Sequence, residues 1–355
     1  MKILNYVDKL LPLFKKRSDK KIFHNILVVS NTGLGDTILA TPAIKTLRKN
    51  FKDIHITFLI HKNIYPLFEN FEYVDDFLFY SRGIINQITL VKQLRKKKID
   101  TIFLLHSNGP EDIFFSILSG ACNILKMTSN KNHEYQHIFL NTLTSKKQHI
   151  IEEKLDLIRV FKPKIIDTKM EISKKFTLKK GILQKEKNYR YIGLQIGAQD
   201  SYKMWPIDKF IELSRHLLDT YSCKLVLLGA TALEQKLTRH LSQALEDPTH
   251  IINKCGKSSL TELAYITKEL DLLITNDTGT MHLAVALQTP TISLFGPTDS
   301  KMYGPYQDEK LHDIIQKDGF FVNSVPKKQR TNKGMDLISV AEVIALLERR
   351  LLKND

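Results

Sequence analysis

The sequence has 355 residues, of which 43% are hydrophobic and 26% charged, with 15 glycines, 11 prolines and 3 cysteines. This composition excludes a collagen-like, low-complexity or disordered chain, and the length suits two domains that each bury a core. The net charge of +15 is lopsided: residues 1–180 hold 31 Lys and Arg against 17 Asp and Glu, whereas residues 181–355 hold 22 against 21, so the first half should be drawn to anionic partners.

The first half reads as strand Asn25–Ser30, helix Asp36–Asn50, strand Ile54–Ile60, a short helix near Asn63–Phe68 and strand Val74–Phe79. Helix Asn86–Lys98 and strand Thr101–His106 follow. A polar, Lys-rich stretch then separates the halves, and the pattern restarts with strand Tyr191–Ile196, helix Pro206–Thr220, strand Lys224–Leu228 and helix Ala232–Leu245. Next come strand His250–Asn253, helix Ser259–Glu269, strand Leu272–Thr275, helix Gly279–Leu287 and strand Thr291–Phe295. Such alternation needs crossover connections, hence an α/β chain with parallel sheets covered by helices on both faces. The expected domains are 1–175 and 176–355, with a final helix at about 339–352 that could pack back on the first. In paired doubly wound domains the carboxyl ends of both sheets face a central cleft, where ligands bind.

No apolar run approaches the ~18–20 residues of a membrane span, and the start lacks the apolar core of a secretory signal. Cys122, Cys223 and Cys255 are far apart with no CxxC pair, which fits a reducing compartment and no cysteine metal site. The expected location is cytoplasmic, with peripheral contact to the inner membrane. Two basic clusters, Lys15–Lys16–Arg17 with Lys20–Lys21 and Arg95–Lys98, would suit an anionic leaflet.

Three loops carry polar residues at strand-to-helix junctions. In Ser30-Asn31-Thr32-Gly33-Leu34-Gly35-Asp36, Gly33 and Gly35 allow a tight turn and a close ligand, and Asp36 reads either as a helix N-cap or as a general base. The GxG lacks the third glycine of a dinucleotide fingerprint, which excludes a Rossmann dehydrogenase. In Gly197–Pro206, Lys203 stands beside the only Trp in the chain, where it is either solvated or a phosphate partner. In Asn276-Asp277-Thr278-Gly279-Thr280-Met281-His282, a strand runs into a helix; Asp277 or Thr278 can cap it, Gly279 admits a bound group, and the positive helix end suits a diphosphate. His282, in the first turn, reads on its own as a core or capping histidine rather than a ligand. Phe295-Gly296-Pro297-Thr298-Asp299 could close the rim.

In order and spacing these segments resemble bacterial glycosyltransferase family nine, the heptosyltransferases that build the lipopolysaccharide inner core. The carrying residues are Gly35-Asp36, Lys203-x-Trp205-Pro206, Asn276-Asp277-Thr278-Gly279-x-x-His282-Leu283-Ala284 and Phe295-Gly296-Pro297-Thr298-Asp299, with Met335-Asp336-Leu337-Ile338 before the last helix. The resemblance implies a GT-B fold of two Rossmann-like domains, an N-terminal one for acceptor and a C-terminal one for donor. It implies inverting transfer from a nucleotide sugar, ADP-L-glycero-D-manno-heptose, without metal or cofactor, to an anionic lipid A–core acceptor. Asp36 matches the general base, with Gly33 and Gly35 in the acceptor loop. Lys203 matches the diphosphate lysine, Glu234 the ribose ligand, and Asp277, Thr278, Gly279 and His282 the donor pocket. The absence of Asp-x-Asp from the sequence agrees on the metal.

This chain departs from many relatives in carrying Gln199 and Asp200 where they have a small hydroxyl residue, and from some in lacking cysteines in Asn323–Lys328. Competing classes are transfer of another sugar or onto another glycan or a protein, a nucleotide-sugar epimerase, and a basic nucleic-acid-binding protein. The last has no helix-turn-helix, RNP or zinc signature, so nucleic acid is not an expected partner.

Overall fold

The computed structural model describes residues 23–106, 110–128, 139, 143–175, 182–317, 325 and 329–351. The chain forms two compact units, Met1–Lys174 and Lys175–Asp355, each with a parallel sheet.

In the first unit the order is β1 (Asn25–Ser30), α1 (Leu34–Ile38), α2 (Thr41–Asn50), β2 (His55–His61), β3 (Asp76–Tyr80), α3 (Ile84–Lys96), β4 (Thr101–His106), α4 (Pro110–Ser119), β5 (Asn123–Leu125) and α5 (Ile150–Arg159). The strands lie as β3-β2-β1-β4-β5. Both faces of this sheet are covered, so β1 reads as a continuous apolar run rather than an alternating one. Leu27, Val29, Leu59, Ile102 and Leu104 pack with Leu90 and Leu94 of α3 on one side. Phe103 points to the other, edge-on to Phe161 beyond α5 at 5.7 Å between centroids, and α2 packs beside α5 there.

The expected helix Asp36–Asn50 is two helices. Pro42, in the first turn of α2, has no N–H to give the preceding turn, and its ring crowds the carbonyl four residues earlier, so the chain bends at Leu39–Ala40 and restarts. Helices α4 and α5 and strand β5 had no counterpart in the sequence expectation.

The second unit runs β6 (Arg190–Gln195), α6 (Ile207–Thr220), β7 (Cys223–Leu228), α7 (Ala232–Leu245), β8 (Ile251–Asn253), α8 (Leu260–Glu269), β9 (Leu272–Asn276), α9 (Gly279–Ala286), β10 (Thr291–Phe295), α10 (Ser300–Tyr303), β11 (His312–Gln316), α11 (Lys333–Asp336) and α12 (Val340–Leu351), with the strands ordered β11-β10-β9-β6-β7-β8. Helix α6 buries Phe210, Leu213, Ser214 and Leu217, one apolar stripe at helical spacing. That stripe meets Ile192, Leu194, Leu225 and Ile274 on one face of the sheet, and Tyr191, Val226 and Leu273 meet Ile266 of α8 on the other.

The last helix, which the sequence left able to return to the first domain, is built into the second. Val343 and Leu347 are fully buried in its core, and α12 packs on α6, β10 and β11. Trp205 explains part of this: its ring is buried and its Nε1 donates to the Ile338 carbonyl at 3.0 Å, fixing the chain that leads into α12. Among the described residues, no helix is long and apolar enough to cross a membrane.

Candidate active site

In each sheet the strand order reverses direction once, between β1 and β4 in the first and between β6 and β9 in the second. At such a reversal the connections leave to opposite faces and open a crevice beyond the carboxyl ends of the strands. The polar loops singled out in the sequence follow β1, β6 and β9, so the topology brings them to these two points.

At the first point, Asp36 is the third residue of α1, and Gly33 is its N-cap. The N-cap reading of Asp36 is therefore corrected; the carboxylate stands in the first turn, where the helix dipole favours its charge. Its Oδ2 accepts from Thr32 Oγ1 at 2.7 Å, and its Oδ1 stands 3.4 Å from His106 Nδ1 at the end of β4. A third of the side chain (34%) remains exposed, enough for an incoming hydroxyl to reach it. Gly33 has an ordinary extended backbone (φ −84°, ψ 171°), and a Cβ there would make only normal contact with Asp36, so the tight-turn reason for this glycine does not hold. Gly35 lies inside α1.

The surroundings of Asp36 hold three basic groups that sequence reasoning missed. Lys154 is buried, with Nζ donating to the Leu105 carbonyl at 3.0 Å. Burial pushes its ammonium down to about 8, while the charges of Asp36 and Glu153 work against that fall. Burial, and then the Lys154 charge, push His106 down to about 4, so its imidazole is neutral at pH 7. Lys126 is also held below the usual lysine range by burial, with Asp112 opposing. Asp112 in turn accepts from Asn31 Nδ2 at 2.8 Å. Lys154 was findable: it occupies the apolar stripe Ile151, Lys154, Leu155, Ile158 of α5, where a lysine is out of place unless something compensates it.

At the second point, Lys203 Nζ donates to Asp277 Oδ2 at 2.6 Å, and Thr298 Oγ1 donates to the same oxygen at 2.7 Å. Three motifs far apart in the sequence thus meet on one carboxylate that is 7% exposed. Asn276 fixes the geometry: its Nδ2 donates to the Ile196 carbonyl at 2.8 Å and its Oδ1 accepts from the Trp205 amide at 3.1 Å. Thr278 is the N-cap of α9 but caps with no side-chain hydrogen bond, and Asp277 does not cap it either. Gly279 is the first residue of the helix, and His282 is buried in its first turn.

Glu234 is committed to its own helix. Its Oε2 accepts from the Ala230 amide and from both the amide and hydroxyl of Thr231, completing a capping box on α7, and its Oε1 accepts from Gln195 Nε2 at 2.8 Å. Gly197 is required here, since a Cβ would overlap the Glu234 side chain. Gly296 answers to a similar constraint: a Cβ would lie 2.6 Å from the Met335 amide, which ties the Phe-Gly-Pro-Thr segment to α11. Asp200 accepts from Tyr202 at 2.8 Å, and Arg330, absent from the sequence reading, donates to the same phenol at 2.9 Å. Among the described residues, no group of three or more His, Cys, Asp or Glu side chains could hold a metal ion. Of segment Asn323–Lys328, all but Val325 lies outside the described residues.

The sequence profile of glycosyltransferase family 9 (heptosyltransferase) matches residues 88–318. A lipooligosaccharide heptosyltransferase 2 of Campylobacter jejuni subsp. jejuni is 27% identical over 285 residues, covering 78% of this chain and 82% of that protein. A lipopolysaccharide heptosyltransferase 3 of Escherichia coli is 25% identical over 334 residues, covering 89% and 95%. The solved structure of an E. coli ADP-heptose lipopolysaccharide heptosyltransferase II superposes with a TM-score of 0.73 at 20% identity, covering 93% of this chain and 99% of that one. The chain belongs to glycosyltransferase family 9, the heptosyltransferase family, and is a glycosyltransferase with the GT-B fold.

Proposed function

We propose that the protein transfers a heptose from ADP-L-glycero-D-manno-heptose to an anionic inner-core acceptor of lipopolysaccharide, with inversion and without metal or cofactor. The observation that carries this reading is the Lys203–Asp277 pair at the β6–β9 reversal, beside an α9 terminus whose N-cap residue, Thr278, makes no side-chain capping hydrogen bond. An ammonium and helix amides meet the charge that develops on a leaving diphosphate, the work a metal would otherwise do. Asp277 and Thr298 hold Lys203 in place for this, Thr278 and Gly279 supply the amide end, and His282 lines the same turn. Glu234 can reach a ribose only through Oε1, because Oε2 is occupied by its own cap.

In the first unit, Asp36 takes the proton of the acceptor hydroxyl as its oxygen bonds to the anomeric carbon. The bond to ADP breaks on the opposite face, and ADP leaves with the electron pair. The Lys154 ammonium and the Asp36 carboxylate attract each other, and His106 is neutral beside them at pH 7. The excess positive charge of residues 1–180 suits an acceptor bearing phosphates and carboxylates at an anionic cytoplasmic leaflet.

Asp36→Asn should lower transfer by ~10²–10⁴ while ADP affinity stays within about twofold. Radiolabel transfer to purified acceptor, with ADP binding by calorimetry, measures both; near wild-type turnover would leave Asp36 a structural residue of α1. The wild-type rate should survive EDTA, and a loss restored by Mg²⁺ would refute the metal-free reading. Sugar released or rearranged without an acceptor would mark an epimerase instead.

A further inference from the structure

Four of the nine large hydrophobic residues that stand exposed among the described residues fall within residues 79–88. They are Phe79 (42% exposed), Ile84 (65%), Ile85 (81%) and Ile88 (48%). Singly exposed apolar residues need no explanation, but a cluster does.

The cluster has a definite place in the fold. Phe79 is on β3, the edge strand of the first sheet, with its ring against Tyr65 on the face away from α3, whereas the three isoleucines together open α3, the helix that follows β3. Helix α3 buries Gln87, Leu90, Val91 and Leu94 against its own core. At roughly 100° per residue, the opposite side carries Ile84, Ile85 and Ile88, then Lys92, Arg95 and Lys96, within an arc of roughly 120°. All six are exposed. Residues 81–99 contain six Lys and Arg and no Asp or Glu. Lys97 is engaged by Asp76, and Arg95 Nε donates to the Leu118 carbonyl at 2.8 Å, which leaves Lys92 and Lys96 as the outward cations on the same side as the isoleucines.

We propose that this outward side of α3 is the surface by which the protein rests on an anionic bilayer. An interfacial helix places apolar side chains among the acyl chains and cations among the headgroup phosphates. Here the isoleucines supply the wedge, and Lys92 and Lys96, one and two turns further along, lie at the level of the headgroups with their stems along the apolar boundary. Charge selects this occupant over a protein partner. A run of cations with no acid among them is complementary to a laterally continuous anionic surface, and gives a second copy of the chain only like charge to meet. The inference deepens the reading of a lipid-linked acceptor and rests on it for its purpose; the binding itself can be measured without it.

The test is co-sedimentation of the full chain with large unilamellar vesicles of phosphatidylcholine alone or with phosphatidylglycerol. Wild type should partition onto the phosphatidylglycerol vesicles and not onto phosphatidylcholine alone, with binding that fades as salt rises. Ile84→Ser/Ile85→Ser/Ile88→Ser should weaken partition at least about tenfold. Lys92→Gln/Lys96→Gln should weaken it about thirtyfold at low salt and much less at high salt. All these side chains point to solvent, so both variants should keep the wild-type melting temperature and the wild-type rate on a water-soluble acceptor fragment. Unchanged partition of the isoleucine variant would overturn the proposal. So would a concentration-dependent dimer that the isoleucine substitutions abolish, because the face would then join two copies. Vesicle binding without any heptosyl transfer would leave the surface standing and count against the proposed reaction.

Discussion

Removing the Lys203 ammonium takes away two things at once: a charge for the diphosphate and the partner of a nearly buried carboxylate. Lys203→Ala should therefore weaken ADP binding by ~1.5–3 kcal/mol, the range for a charge-assisted contact, and leave adenosine binding close to wild type. Calorimetry with the two ligands separates a phosphate contact from general damage, and equal losses would take Lys203 out of the diphosphate site. The residue alone did not reveal this, since a lysine in a loop looks solvated. Its meaning comes from Asp277 and Thr298, 74 and 95 positions away, which meet it only after β6 pairs with β9 and β9 with β10. Asp36 was legible as a carboxylate in a strand-to-helix loop. Of its neighbours, Lys154 left a trace as a lysine in the apolar stripe of α5, but that it and His106 meet Asp36 was not legible, because such contacts are a property of the packed fold.

At the scale of elements, the strands and most helices follow from periodicity, and the exceptions have local causes. Pro42 divides a helix that the apolar pattern alone runs together. Glu234 sits on the element where a sequence motif and a structural cap coincide, and the two roles differ in what they predict. With three hydrogen bonds to Oε2, Glu234→Ala should lower stability to urea by ~0.5–2 kcal/mol through loss of the α7 cap. An unchanged unfolding midpoint with weakened nucleotide binding would assign the carboxylate to the ligand alone. The glycines divide in the same way: Gly197 and Gly296 are demanded by close approach of other elements, a constraint invisible along the chain, whereas Gly33 adopts a backbone open to any residue.

Across the whole molecule, a histidine in each unit resists protonation: half-buried His106 in the first and buried His312 in the second. His106 is pushed down to about 4 by burial and Lys154, and His312, which faces Thr291 Oγ1 at 3.0 Å, to about 4 by burial and Arg350, with Asp308 and Asp313 opposing. In the unfolded chain both take up a proton near pH 6.5. Below that pH the unfolded state binds more protons than the folded one, so stability falls as pH drops from about 6.5 to about 4 and levels off below. Each histidine contributes a slope of at most about 1.4 kcal/mol per pH unit. Thermal melts of wild type against His106→Gln and His312→Gln over this window should show a shallower decline in the variants. Superimposable slopes would mean that these imidazoles are already protonated in the folded protein.

The sequence by itself determined the α/β class, the two sheets, the strand-end loops that carry polar groups and the family resemblance. All of these depend on residues close together in the chain, where the alternation of strand and helix periods and the short motifs are written. It placed Asp36, Lys203, Asp277 and the start of α9 at the ends of strands, which in a parallel sheet is already the binding edge. The tertiary structure decided the rest. Strand order sets the two reversal points, and it is fixed by pairing between distant segments. The Lys203–Asp277–Thr298 meeting, the buried Lys154 beneath Asp36 and the docking of α12 on the second core follow from that order. So do the depressed pKa values, because desolvation acts only on groups that packing has removed from water.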